Sequence, residues 1–111
     1  MSDCIFCKII NGEIPCDKVY EDDQMIAIKD VAPVAPVHVL LIPKKHVPNI
    51  LATEADLRLH LSSKMKELVK KLGVEEKGFR LVINTGVDGG QTVEHLHIHL
   101  IGGKILGWPP C

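Results

Sequence analysis

From His95 to Leu100 the chain reads His-Leu-His-Ile-His-Leu, an imidazole alternating with a branched apolar side chain. Period-two alternation predicts a strand whose faces meet different surroundings, because successive side chains point to opposite sides. All three imidazoles are then expected on one face, with Leu96, Ile98 and Leu100 on the other. Apolar runs bounded by turn residues predict further short strands at residues 18–21, 25–30, 37–43 and 79–84, with Asp22 and Asp23 turning between the first two. From Thr53 the period changes. Leu57, Leu61, Met65, Leu68 and Leu72 recur at spacings of three and four, the stripe of a long amphipathic helix that packs on a sheet. Thr53 is expected to cap it, Glu54 and Asp56 to oppose its dipole, and Gly73 to end it.

Residues 4–11 carry apolar positions at helical spacing before Gly12 and predict a short N-terminal helix. Pro33 and Pro36 remove donors and restrict their predecessors, so residues 31–36 read as a stiff loop. Short links between strands favour antiparallel pairing. The expected class is α+β: a sheet of about five antiparallel strands, the long helix on one face and the histidines on the opposite, open face or its rim.

Composition narrows this picture. At 111 residues the chain is one domain spanning 1–111, and with two Phe, one Tyr and one Trp its core must be aliphatic. A net charge of −1 argues against extended binding to a nucleic-acid backbone. No apolar run approaches the roughly 20 residues of a membrane helix. The start Met1-Ser2-Asp3-Cys4 lacks the basic and apolar regions of a secretory signal, so a cytoplasmic address is expected. There Cys4, Cys7, Cys16 and Cys111 are expected to stay free of disulfides, with Cys16 and Cys111 incidental. The Cys4-x-x-Cys7 pair suits either a redox motif or half of a zinc site. The second is favoured, because no strand precedes Cys4 and the chain has spare histidines.

Distance divides the labour of the three histidines. Residues i and i+4 on a strand lie roughly 13 Å apart, so His95 and His99 cannot share one metal whose nitrogen ligands sit about 2 Å away. A neutral imidazole is a nucleophile at physiological pH and its neighbour a donor; the plain alternative is an exposed face that happens to carry histidines. The glycine-rich loop at residues 85–91 directly precedes this segment, and its amides, with the side chains of Gln91 and Thr92, are expected to gather on an anion. His60 stands apart on the long helix and reads as a surface or boundary residue.

Residues 90–100, Gly-Gln-Thr-Val-Glu-His-Leu-His-Ile-His-Leu, resemble the signature of the histidine triad superfamily. Residues 4–15, 30–47 and 84–110 resemble its nucleotide-binding branch, including Gly102-Gly103 and the ending Gly107-Trp108-Pro109-Pro110. Sister transferases carry Gln at the third histidine position, so His99 points to hydrolysis. The resemblance implies a homodimer with a shared sheet that hydrolyses purine nucleoside phosphoramidates. His97 would attack the α-phosphorus, forming a nucleotidyl-histidine intermediate that water then cleaves. His99 and Thr92 would contact phosphate and leaving group, Thr92 standing where the family usually has Ser, and His38 would support the nucleophile's protonation state. On residue pattern alone His38 reads equally as a hydrogen-bonded core histidine.

By the same resemblance Asp30 would bind the ribose hydroxyls, and Ile5, Phe6, Ile9 and Ile28 would wall the base. Asn84, Gly90 and Gln91 would lie near the phosphate, and Trp108 would reach the partner subunit's site. Some members hold structural zinc through residues corresponding to Cys4, Cys7, His46 and His95; no catalytic metal is implied. Rival readings are a dinucleoside polyphosphate hydrolase, a hydrolase with His95 and His97 on an open zinc, and a purine nucleotide-binding regulatory module with little catalysis.

Overall fold

A computed structural model describes residues 3–110, leaving Cys111 outside the described part. Chain order is α1 (Ile5–Ile10), β1 (Lys18–Glu21), β2 (Met25–Lys29), β3 (Val37–Pro43), a 3₁₀ turn (Ile50–Ala52), α2 (Ala55–Lys71), β4 (Phe79–Val82) and β5 (Ile98–Gly102). The strands form one sheet ordered β1-β2-β3-β5-β4, and every pairing is antiparallel. The expected α+β class is what the chain adopts. β2 and β4 end at Lys29 and Val82, earlier than the apolar pattern suggested.

Two apolar clusters sandwich the sheet. On one face Met25, Ala27, Val39, Leu41, Leu96 and Leu100 meet Leu61, Leu68 and Val69 of α2, with Leu57, Met65 and Leu72 partly buried beside them. On the other, Ile26, Ile28, Leu40 and Ile42 meet Phe6 and Ile9 of α1. That second face was expected open; the short N-terminal helix covers part of it instead. The reason is arithmetic: β2 and β3 are apolar at both parities, so neither of their faces can be left in water.

The entry to α2 differs from expectation as well. Its N-cap is Glu54, which makes no side-chain cap bond. Thr53 closes the preceding 3₁₀ turn, its hydroxyl donating to the Ile50 carbonyl at 2.7 Å, while Arg58 donates to the Thr53 carbonyl at 2.7 Å. Gly73 follows the helix with φ +74°, the left-handed geometry that glycine tolerates best. His60 is half-buried, its Nε2 2.7 Å from Asp22 Oδ2. Burial raises the Asp22 carboxyl, but bonds from Tyr20, Gln24 N–H, His60 and Met25 N–H outweigh it and hold the group well below the usual range. His60 is thus a boundary residue, as expected, and it ties α2 to the β1–β2 turn. No helix of the described residues is long and apolar enough to cross a membrane.

Leu68 is 2% exposed at the centre of the α2 cluster. Leu68→Ala is expected to cost about 2–5 kcal/mol through lost transfer energy and a residual cavity. Urea unfolding measures it, and a cost indistinguishable from zero would mean that the helix does not pack there.

Candidate active site

The face covered by α1 also carries the polar row. Register places His38 opposite Ile101 and His99 opposite Val82, so these four side chains share that face. The hydrogen-bonded strand begins only at Ile98, however, and His95 and His97 lie before it in irregular backbone, contrary to the expected six-residue strand. Alternation survives nonetheless: Leu96, Ile98 and Leu100 point into the α2 cluster while the imidazoles point away from it. One main-chain bond, Leu96 N–H to the Val47 carbonyl at 2.8 Å, helps fix this lead-in segment.

The three imidazoles have different partners. His95 is fully buried, and its Nε2 lies 2.8 Å from the Pro43 carbonyl. A carbonyl can only accept, so Nε2 carries the proton and Nδ1 keeps its lone pair. That Nδ1 sits 3.3 Å from Cys4 Sγ and 3.6 Å from Cys7 Sγ, and His46 Nδ1 lies 3.3 Å from Cys7 Sγ. Burial holds His95 below the ordinary histidine pKa, and burial together with Cys4 raises the Cys7 thiol.

These four donor atoms all lie within 4.8 Å of one another. Tetrahedral zinc with bonds of about 2.3 Å to sulfur and about 2.0 Å to nitrogen needs donor separations of roughly 3.3–3.8 Å, so the set fits such an ion. The Pro43 carbonyl supplies the outer bond that a ligating histidine ordinarily makes.

His97, 8% exposed, has its Nδ1 2.8 Å from the His95 carbonyl. The same reasoning puts its proton on Nδ1 and leaves Nε2 as a bare lone pair. Among the described residues His97 belongs to neither group of metal-capable donors. His95 and His97 are therefore not arranged as joint ligands of an open zinc.

His38 accepts the Val34 N–H at Nδ1, 3.2 Å, so its Nε2 carries the proton. That Nε2 lies 2.9 Å from His99 Nδ1 and 3.4 Å from Asp30 Oδ2. His99 thus accepts at Nδ1 and, when neutral, presents an Nε2–H donor. Burial first, then the neighbouring His97 and His38, pushes the His99 imidazole below the ordinary value of 6.5 and favours that neutral form. The His97 and His99 rings stand with centroids 5.2 Å apart. A lone pair and a donor are thereby set side by side. The contact of His38 with this pair runs through His99.

The other expected site residues divide into those near the row and those occupied elsewhere. Asp30 follows β2 on the same face, with Oδ1 accepting the Ala32 N–H at 2.8 Å. Phe6 sets its ring edge-on against His97 at 4.9 Å and His95 at 5.8 Å. Ile9 and Ile28 are buried around it, and Ile5 is exposed on α1.

Gln91 is not a free donor. Its amide hydrogens reach the Pro48 carbonyl at 2.6 Å and the Val93 carbonyl at 3.0 Å, and its oxygen accepts the Gly86 N–H. Amides of Gly90 and Gln91 close turns onto Val87 and Gly86, so these N–H groups do not converge on an anion. Asn84 donates to the Gly89 carbonyl at 2.7 Å. Glycine is required at 89, where a Cβ would come within 2.3 Å of the Thr85 carbonyl oxygen. The loop is a pinned scaffold. Thr92 is exposed at its exit, and Trp108 is 81% exposed beyond Gly107, whose carbonyl accepts from Arg80 at 2.8 Å.

Sequence reasoning missed the Pro43 and His95 carbonyls and the Val34 amide, which set the tautomers of His95, His97 and His38. Main-chain groups leave no residue-type signature.

Sheet, helices and polar row define an α+β domain with a row of histidines on one face of its sheet. The chain matches the HIT domain over residues 11–105. An uncharacterized HIT-like protein from Synechococcus elongatus is 55% identical over 111 residues, 97% of this chain and 96% of the relative. A HIT family hydrolase from Legionella pneumophila superposes with TM-score 0.93 at 44% identity, covering 98% of this chain and 100% of that one. A histidine triad protein from Clostridium difficile gives TM-score 0.92 at 46% identity, covering 96% of each chain. The chain belongs to the HIT domain family, and its general character is that of a HIT hydrolase.

The lowered His99 pKa has a consequence for stability. The unfolded chain takes up a proton near 6.5 that the folded site resists, so this contribution is complete above 6.5 and is lost as pH falls below it. The melting temperature is expected to drop between about pH 7.5 and about pH 5.5, and to drop less in His99→Gln. Equal drops in both proteins would show that His99 titrates as if exposed.

Proposed function

We propose that the protein is a purine nucleoside phosphoramidase working through a covalent nucleotidyl-histidine. The observation that carries this reading is the His97 Nε2 lone pair standing beside the His99 donor. His97 Nε2 attacks the α-phosphorus and the P–N bond to the leaving group breaks. A nitrogen that arrives protonated leaves as a neutral amine. His99 Nε2–H donates to the phosphate as charge shifts, with Thr92 at the loop exit as a second donor. Water then attacks the phosphorus and releases a proton to solvent, the bond to His97 breaks, its electron pair returns to Nε2 and a nucleoside monophosphate departs.

Asp30 takes the ribose hydroxyls, and the apolar surface of Ile5, Phe6, Ile9 and Ile28 faces the purine. Adenine and guanine nucleotides are both within this substrate class. Cys4, Cys7, His46 and His95 would hold a structural zinc, which supplies a rigid closed cross-link and takes no part in activating water. A reducing cytoplasm, the address proposed for the chain, keeps the Cys4 and Cys7 sulfurs out of disulfides and open to a metal, with Cys16 a free thiol.

The working unit is a homodimer. β4 is an edge strand, and Phe79 and Leu81 in it and Ile83 just beyond it are large exposed apolar residues. Beside them a groove of about 150 Å³ runs between α2 and β4, lined by Leu41, Ile50, Leu61, Met65, Leu81 and Ile83. A second copy adding its own β4 would continue the sheet and fill that groove, and the exposed Trp108 would extend toward the neighbouring site.

Two measurements test these assignments. His97→Ala is expected to lower turnover of adenosine 5′-phosphoramidate by several orders of magnitude while a purine nucleotide still binds. Turnover equal to wild type would remove His97 from the chemistry. Leu81→Asp is expected to halve the mass seen by light scattering; an unchanged mass would place any dimer contact elsewhere.

A further inference from the structure

His97 has little of its own to hold it in place. It precedes the first ladder residue, Ile98, so strand pairing does not orient it. Its ring touches His99 on one side, and its two remaining contacts both lead back to the same four-residue cluster. Its Nδ1–H is held by the carbonyl of His95, whose own ring is clasped by Cys4, Cys7 and Pro43. Its flank rests on Phe6, which lies on α1 between Cys4 and Cys7. Helix α1 has six residues, too few to be stable without a tether. Its N-cap is Cys4, whose Sγ accepts the Cys7 N–H at 3.4 Å. His46 closes the cluster from the segment after β3, its ring edge-on to His95 at 4.8 Å.

We propose that Cys4, Cys7 and His46 are positioning residues for the nucleophile: when the cluster closes around a zinc-like cation, His95 and Phe6 together aim the His97 ring at the phosphorus. Metal binding and catalysis are then joined by covalent and packing contacts within a few ångströms, although the cation touches neither substrate nor nucleophile. Loss of any one ligand loosens α1 and the lead-in to β5 and leaves the preformed ladder from Ile98 onward intact. The proposal rests on the assignment of His97 as nucleophile, and its test contains one readout that does not depend on the reaction.

The test compares the full chain, stripped by chelator and refilled with zinc, with Cys7→Ala and with His46→Ala, the latter altering the ligand nearest the surface. Refilled wild type is expected to show a slowly exchanging His97 Nδ1–H in nitrogen-edited NMR; stripped protein and both variants are expected to lose it. On a phosphoramidate, kcat is expected to fall roughly 10–100-fold with KM nearly unchanged, as for outer-shell changes at metal sites. Zinc is expected to restore wild type and not the variants. Cys16→Ala, which alters a thiol in the same apolar cluster but outside the donor set, is expected to behave as wild type. Should Cys7→Ala fail to fold, stripped against refilled wild type decides the matter alone. An unchanged His97 signal after stripping overturns the proposal whatever the kinetics. A refilled protein that shows the signal and changes it on stripping, yet turns over no phosphoramidate, overturns the assigned reaction and leaves the positioning intact.

Discussion

A hydrogen bond between neighbours in sequence, from His97 Nδ1 to the His95 carbonyl at 2.8 Å, decides what this site can do. An imidazole in water exchanges its proton between two nitrogens, and a nucleophile of that kind is correctly oriented only part of the time. Because a carbonyl accepts and never donates, the bond confines the proton to Nδ1 and leaves the lone pair on Nε2. The Pro43 carbonyl does the same for His95 with the nitrogens reversed, and the Val34 amide does it for His38. Three main-chain groups thus fix the protons of three imidazoles, which under the proposed function serve as ligand, nucleophile and relay to the donor His99.

The sheet makes this assignment feasible by separating apolar burial from chemistry. With a period of two, Leu96, Ile98 and Leu100 bury themselves under α2 without competing with the histidines for space. The other face is shared, α1 and its apolar neighbours covering one part and the polar row the rest. His95 takes the fully buried end among sulfurs, where an uncharged ring costs least, and His99 the partly exposed end beside His38 and Asp30. His97 stands between them, in contact with Phe6 on one side and His99 on the other.

Much of this was legible because periodicity reports on burial. The α2 stripe, β1 and β3 and the parity of the histidine segment all follow from which positions are apolar. The short strand ends, the 3₁₀ turn that takes Thr53 from its expected cap and the covering of the second face do not. These depend on tertiary packing: the choice between Thr53 and Glu54 as the cap turns on where Ile50–Ala52 dock. Gln91 shows the same limit at the site. Its residue type suits a phosphate donor, but the position of the Pro48 and Val93 carbonyls, set by chain path alone, consumes its amide. His60 was legible as a boundary residue, but its partner Asp22, 38 positions away, was not.

The central claim is that His97 Nε2 forms a bond to phosphorus during turnover. Acid-quenched mass spectrometry with a slowly cleaved purine phosphoramidate tests it most directly. The account predicts a nucleoside monophosphate adduct on the peptide carrying His97, formed and discharged at rates that match turnover. Steady turnover with no adduct, or an adduct confined to His95 or His99, would contradict it.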